Sequence, residues 1–306
     1  MRVLVTGAGG QLGHDVVAAL SGNVPPGGRR RSLLGPDDAG PRAGAVDVVA
    51  TDHAALAVED RDAVIAAVDA LRPDVVVHAA AWTAVDACEG DPDRAFAVNT
   101  LGTRHVAEAA DRVGAHLCYL STDYVFDGTS PEPYREWDPT RPLSVYGRSK
   151  RAGERECRPG TTIVRTSWVC GVSGANMVKT ALRLAQGEGT LRFVDDQHGS
   201  PTFTADLATA IVTLALDRRP GVFHVTNQGA TTWFEFVGAV LAAAGHDPAR
   251  VEPIATADLV PPRPATRPAN SVLDNAAMRL SGLPLLPPWQ DGLERLVRAL
   301  GSPPGR

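Results

Sequence analysis

Tyr146 and Lys150 lie four residues apart in a stretch that reads as a helix around Tyr146–Cys157, so they project from one face, one turn apart. A tyrosine phenol titrates at about 10, and a nearby ammonium favours its phenolate, so such a pair can exchange a proton near neutral pH. Ser121-Thr122, at the end of an apolar run, adds a hydroxyl to the same place. Alone, Tyr-x-x-x-Lys is a common coincidence; its weight here comes from the other end of the chain. Gly7-Ala8-Gly9-Gly10-Gln11-Leu12-Gly13 follows a strand-like run and precedes a helix-like one. Glycines at 7, 10 and 13 allow a tight turn, close backbone approach to a pyrophosphate, and close helix–strand packing, with the helix N-terminus facing the phosphates. Asp52, just past the second apolar run, stands where a carboxylate binds an adenosine ribose, whereas a 2′-phosphate wants a nearby arginine. The Arg29–Arg31 run reads first as a solvated loop, so NADH and NADPH both remain open.

These residues need a scaffold. Apolar β-branched runs at Arg2–Thr6, Ala45–Ala50, Asp74–His78, His116–Leu120 and Thr162–Arg165 read as strands, with Val222–Thr226 returning to the same sheet. Between them, Leu12–Leu20 reads as a helix, Asp60 caps a second, and Asp91-Pro92 opens a third that runs through Asn99 to Val113 and stops at Gly114. Residues 22–44 read as a long irregular loop. Strands buried on both faces and separated by helices predict an α/β fold, a Rossmann-type doubly wound parallel sheet with a smaller C-terminal substrate-binding lobe. The expected division is 1–168 plus about 204–228 for the NAD(P)-binding part, and 169–203 with 229–306 for the lobe.

Composition narrows the function classes. With 30 Lys and Arg against 35 Asp and Glu, the chain of 306 residues carries a net charge of −5 and lacks a basic footprint for nucleic acid. Leu207–Leu216 falls far short of the roughly 20 apolar residues of a membrane span, and Met1–Thr6 is too short for a signal-peptide core. Four cysteines without metal spacing then suggest reduced thiols in a cytoplasmic protein.

Taken together, GAGGQLG (7–13), RPDVVVHAAAWTAVDACE (72–89), LSTDYVFDG (120–128), PLSVYGRSKRAGE (142–154), VRTSWVCG (164–171), FVDDQHGSPTF (193–203) and RPANSVLDN (267–275) resemble the extended short-chain dehydrogenases/reductases. More narrowly, the chain is similar to the dTDP-4-dehydrorhamnose reductase family. The resemblance implies NADPH- or NADH-dependent reduction of the C4 ketone of a dTDP-4-keto-6-deoxyhexose, foremost dTDP-4-dehydro-L-rhamnose or a related deoxysugar. It implies Tyr146 as proton donor, Lys150 as ribose ligand that lowers the Tyr146 pKa, and Thr122 as hydrogen-bond partner of the reacting oxygen. Gly7, Gly10, Gln11, Leu12, Gly13, Asp52, Ala79, Ala80, Ala81, Ser121, Tyr146 and Lys150 are then the cofactor residues. Thr83, Thr122, Tyr124, Tyr146 and Trp168 face the sugar nucleotide, and Asn99 orders the site through backbone contacts. Asp15 stands where a glutamate joins a metal-linked dimer in some members; no metal ligand is predicted, and Mg2+ and a homodimer are both left open.

Plainer roles compete. Trp168 can be core, Tyr124 a loop anchor, Thr83 a helix cap, His78 a structural strand-end histidine, and Asp195-Asp196 a turn. Two other functions stay in view: a nucleotide-sugar epimerase or dehydratase, and a cofactor-binding regulatory subunit without turnover. A dehydratase of this superfamily needs Asp-Glu directly after the strand-end threonine, whereas Thr122 is followed by Asp123-Tyr124.

Overall fold

The computed structural model describes residues 1–22 and 46–301. Six strands form one sheet: β1 (Arg2–Thr6), β2 (Asp47–Thr51), β3 (Val75–His78), β4 (His116–Thr122), β5 (Thr162–Thr166) and β6 (Gly221–His224). Their order is β6-β5-β4-β3-β1-β2, and every pairing is parallel. Alternation along each strand divides the core between two faces. Val3, Val5, Val75 and Val77 join Val16, Leu207 and Ile211 on one face, while Leu4 and Val76 join Val64, Val68, Val106 and Ala110 on the other. Each fully buried valine or leucine contributes about 1.5–3 kcal/mol, so these all-apolar strands have no stable place except between two helical layers.

The order reverses between β1 and β3, and the loops leaving their carboxyl ends open the crevice where such sheets take ligands. The elements around it are locally specified. Helix α1 (Gln11–Leu20) starts at Gly10, with no side chain capping it. Asp60 accepts from the Ala63 amide at 3.0 Å and starts α2 (Arg61–Leu71). A short α3 (Val85–Gly90) precedes α4 (Pro92–Phe96), which Asp91 caps by accepting from the Arg94 amide at 3.0 Å. Ser144 caps α6 (Val145–Glu156) through the Gly147 amide at 3.1 Å.

Two expectations about elements change, and a third falls largely outside the described residues. The helix expected through Asn99 to Val113 is broken by a π-helical turn at Ala97–Leu101 before α5 (Gly102–Val113). Such wide turns aim a side chain that regular helix would leave on another face. The second strand, expected over Ala45–Ala50, runs Asp47–Thr51 among the described residues, where β1 offers partners from Arg2↔Asp47 to Thr6↔Thr51; Ala45 itself lies outside them. The loop expected at 22–44, with its arginine run, lies outside the described residues from position 23 onward.

Beyond β5 a second apolar cluster gathers Cys170, Val178, Phe203, Phe236, Val240, Leu241, Trp289 and Leu293 from helices Met177–Ala185, Trp233–Ala243 and Trp289–Gly301 and the segments between them. Thr232 and Glu235 form a reciprocal capping box at the start of the middle helix. Among the described residues, no helix is long and apolar enough to cross a membrane.

Candidate active site

The glycine turn is built almost entirely of backbone. Gly7 has φ +74°, and a Cβ there would sit 2.5 Å from the Ala80 nitrogen. A Cβ at Gly13 would overlap the Gly7 carbonyl oxygen. These two glycines therefore let the loops after β1 and β3 and the start of α1 touch. Gly10 differs: it is exposed, and a Cβ there would meet only the Gly7 carbonyl oxygen, at 3.2 Å. An uncapped helix N-terminus beside an exposed glycine is a fitting seat for a pyrophosphate. Asp52 lies against this turn, its Cβ 3.3 Å from where a Gly9 Cβ would be, with its Oδ1 accepting from the Ala55 amide at 2.9 Å. Ala79 and Ala80 pack on the core beneath the turn, Ala81 continues the same loop, and Leu12 packs on the β-sheet core. A dinucleotide therefore fits the residues present.

Two of the expected cofactor side chains are otherwise engaged. Gln11 donates to the Val169 carbonyl at 3.0 Å, and its oxygen accepts from the Gly171 amide at 2.9 Å and Asn176 at 2.6 Å. It is a strut between α1 and the 169–176 segment. The Ser121 hydroxyl donates to Glu154 at 2.6 Å. The Arg165 guanidinium grips both oxygens of that carboxylate at 2.8 Å. Strand alternation explains this: Ser121 and its neighbour Thr122 point to opposite faces, so only one hydroxyl can face the crevice.

At the end of β4 the expected reacting groups do meet. Tyr146 is buried beside Thr122, and the Tyr124 ring stands edge-on to it at 5.6 Å. Thr122 donates to Asp123 at 2.9 Å and accepts from the Tyr124 amide at 3.2 Å. Burial pushes Asp123 up to about 6, against hydrogen bonds from Ser271 and Thr122. Thr83 is exposed in the loop after β3, and Ala84, not Thr83, occupies the cap position of α3.

The relation of Tyr146 to Lys150 corrects an expectation. The two share a face of α6, but the Lys150 ammonium donates to the Leu120 carbonyl at 2.6 Å and lies 4.2 Å from the Tyr119 ring centroid. Burial holds Tyr146 well above its ordinary value; the nearby Thr122 hydroxyl opposes that, and Lys150 is not among the opposing groups. Burial also pulls Lys150 down to about 7, while Glu154 one turn further along α6 counters it. A long flexible stem lets the ammonium follow the nearest carbonyl rather than its helix neighbour.

Asn99 reveals the purpose of the π-turn. Its side-chain oxygen accepts from the Trp82 amide at 2.8 Å, and its nitrogen donates to the Trp82 carbonyl at 3.1 Å and to Ser149 at 2.9 Å. Ser149 in turn donates to the Tyr146 carbonyl at 2.8 Å. One buried amide thus joins the loop after β3 to the helix that carries Tyr146. His78 is structural: its ring bonds Thr6 at 2.7 Å and Thr103 at 3.2 Å, and burial lowers it to about 3, so it stays neutral. Asp195 accepts from the Thr232 hydroxyl and Asp196 from that of Thr256, both at 2.6 Å.

Trp168 follows β5 with φ +44°, a left-handed backbone unusual for a bulky residue. Its indole stacks on Trp233 at 3.6 Å and 7°, and a Cβ at Gly199 would overlap it. Its aromatic neighbours are therefore Trp233 and Phe236, from the second apolar cluster. Sequence reasoning missed Trp233, Gly199, Glu154 and Arg267. Only Glu154 announced itself, as the third residue of an i, i+4, i+8 series with Tyr146 and Lys150.

Comparison with known proteins agrees with this geometry. The RmlD substrate binding domain family matches residues 1–302. A dTDP-4-dehydrorhamnose reductase from Streptomyces griseus is 44% identical over 314 aligned positions, covering 100% of this chain and 96% of that one. A dTDP-4-keto-6-deoxy-D-glucose reductase from Streptomyces niveus is 39% identical, covering 98% of each. The crystal structure of the Bacillus anthracis dTDP-4-dehydrorhamnose reductase in complex with NADP superposes with a TM-score of 0.85 at 36% identity, covering 96% of this chain and 98% of that one. A glycine turn at a sheet reversal, a threonine–tyrosine pair at the end of β4 and a whole-length match converge on one conclusion: the chain belongs to the dTDP-4-dehydrorhamnose reductase family of extended short-chain dehydrogenases/reductases.

Proposed function

We propose that this protein is an NADPH- or NADH-dependent oxidoreductase that reduces the C4 ketone of a dTDP-4-keto-6-deoxyhexose, with dTDP-4-dehydro-L-rhamnose as the leading substrate and the cytoplasm as its place of work. The observation that carries the reading is the buried Tyr146 phenol beside Thr122 at the carboxyl end of β4, in a chain that matches this reductase family over residues 1–302. The glycine turn, with Asp52, Ala79, Ala80 and Ala81 around it, would hold the dinucleotide, which supplies the hydride for C4.

The chain's own residues divide the remaining work. Burial keeps the Tyr146 oxygen protonated, as a proton donor to a developing alkoxide must be. Thr122 stands beside that phenol, and its hydroxyl, which donates to Asp123 here, would turn to the same oxygen once the ketone is bound. Lys150, near neutrality in its pKa, can hold or return a proton beneath the site and would turn its ammonium to the nicotinamide ribose. Thr83, Tyr124 and Trp168 are assigned to the sugar nucleotide, Tyr124 and Trp168 giving the deoxysugar apolar faces. Residues 169–203 and 229–306 are assigned to the substrate lobe, in keeping with their separate apolar cluster. Tyr124 packs on Tyr146 at the place where a dehydratase carries its glutamate, which favours simple reduction.

The test is oxidation of NADPH and NADH against a panel of dTDP-4-keto-6-deoxysugars, with NMR of the product at C4. Stoichiometric oxidation with one C4 epimer formed is expected. An epimerase or dehydratase would recycle its cofactor and consume none, and a regulatory subunit would bind cofactor without turnover; either result overturns the reading.

A further inference from the structure

A half-buried ion pair that plays no part in the reaction just described joins two segments far apart in the chain, its Asp86 side chain still 41% exposed. Arg267 places Nη1 2.5 Å from Asp86 Oδ1 and Nη2 2.7 Å from Asp86 Oδ2, a two-pronged grip. The arginine side chain is 9% exposed. Asp86 also accepts from the Ala265 amide at 3.1 Å, and Arg267 donates to the Ala265 carbonyl at 2.8 Å. The same guanidinium lies near enough to the Tyr124 phenol to oppose the upward push of burial on it. Tyr124 in turn stands against Tyr146. A chain of contacts thus runs from Asp86 on α3, through Arg267, to the ring beside the proton donor.

The segment carrying Arg267 is otherwise unevenly held. Residues 269–271 are stitched in: the Asn270 amide donates to the Gly128 carbonyl at 3.3 Å, and the His198 amide to the Ala269 carbonyl at 2.8 Å. Before them, Val260–Pro264 is exposed, with Val260 at 94%. Ala265, 2% exposed, is where this proline-rich arm first becomes buried, and Asp86 holds it.

We propose that the Asp86–Arg267 pair is a positioning latch: it pins the proline-rich arm to α3 and aims the Tyr124 phenol across the sugar end of the cleft. The proposal rests on the reading that Tyr124 faces the substrate. Arg267 acts through Tyr124 and is not assigned a contact with the reacting atoms. A bidentate arginine suits this better than a lysine, because its planar fork can hold a carboxylate and a phenol at fixed angles to each other.

The test uses the full chain with three variants, Asp86→Asn, Arg267→Lys and Arg267→Ala, each measured for sugar-nucleotide KM, kcat, NADPH affinity and amide hydrogen exchange in the 259–267 segment. Loss of the grip is expected to raise KM roughly 10-fold in Asp86→Asn and up to roughly 100-fold in Arg267→Ala, the scale of an ångström-sized misplacement, with Arg267→Lys between them. NADPH affinity should stay within about two-fold, since the glycine turn is untouched. Protection of the Ala265 amide should fall in Asp86→Asn. Should Arg267→Ala fail to fold, Asp86→Asn and Arg267→Lys carry the decision. A rise in KM confined to the Arg267 variants means that the arginine touches substrate itself, and overturns the latch. Unchanged exchange together with unchanged KM in Asp86→Asn overturns it as well. A wild-type chain that reduces no 4-ketosugar sinks the proposed function separately; exchange at Ala265 then decides the latch, retained protection in Asp86→Asn refuting it.

Discussion

The two ends of the crevice are built in opposite ways. At the glycine turn, contiguous residues 7–13 meet one neighbouring loop, and what matters is backbone: two glycines allow contact and a third lies open. At the sugar end, Tyr124 follows β4, Trp168 follows β5, Gly199 and Trp233 come from later segments, and Arg267 reaches back to Asp86. Here side chains do the positioning and nearly every partner is distant in sequence. A backbone-built site survives wide sequence change if its glycines stay. A side-chain-built site can be retuned one residue at a time, which would suit the end proposed to tell one deoxysugar from another.

The sharpest test of this division removes the group that both ends serve. Tyr146→Phe should lower kcat by 10²-fold or more, the range of general acid catalysis, while NADPH affinity holds; near-normal single-turnover rates would take Tyr146 out of the chemistry.

Within the glycine turn the two kinds of glycine should separate. Gly13→Val should compromise folding, because its Cβ meets backbone, whereas Gly10→Val should fold and bind NADPH weakly, since only the Gly7 carbonyl lies near. A tenfold or greater loss of affinity, roughly 1.4 kcal/mol, is expected for Gly10→Val by fluorescence titration. Equal melting temperatures for the two variants would erase the distinction.

At the sugar end, Trp168→Ala should cost about 3 kcal/mol of stability, at the low end for losing a large ring, because the indole is only partly buried on Trp233. It should also raise sugar-nucleotide KM without moving NADPH affinity. Normal KM in a destabilised variant would make the residue packing alone, and the sugar end would then rest on Tyr124.

Lys150 gives a pH signature. Its folded pKa, about 7, lies below the unfolded value of 10.5, so between those values the unfolded chain binds more protons. Its burial therefore costs nothing above the unfolded value, costs progressively more as pH falls toward about 7, and stays constant below. Denaturant midpoints of the wild type, measured from pH 7 to pH 10, should include a rising contribution that disappears in Lys150→Met. Matching slopes in the two proteins would place the titration elsewhere.

The smallest effect is expected at Asp52. A carboxylate beside Gly9 favours a free ribose hydroxyl and repels a 2′-phosphate. Asp52→Ala should move the ratio of kcat/KM for NADPH over NADH upward by roughly 5-fold, about 1 kcal/mol for one exposed charge. A shift toward NADH would mean that the ribose is held elsewhere.

Much of the scaffold was legible before any coordinates. The five strands of the first half, the caps at Asp60 and Asp91-Pro92, and the glycine spacing all rest on local rules that the tertiary structure had no reason to override. The π-turn at Ala97–Leu101 was not legible, because 97–101 carries the same apolar spacing as a regular helix and only the buried bonds of Asn99 favour the wider turn. The orientation of Ser121 was recoverable by strand alternation from Thr122, and was missed by treating adjacent residues as one site.

What the amino-acid sequence determined by itself was the parallel sheet, the place of its reversal and the identity of the groups that can move a proton. Those follow from periodicities of two and 3.6 residues, from the steric freedom of glycine, and from side-chain chemistry, none of which needs a partner. Only the tertiary structure decided that Lys150 turns to the Leu120 carbonyl, that Trp168 stacks on Trp233, and that Arg267 reaches Asp86. Long side chains choose among partners of similar strength, and the choice depends on distances between segments that local sequence does not encode.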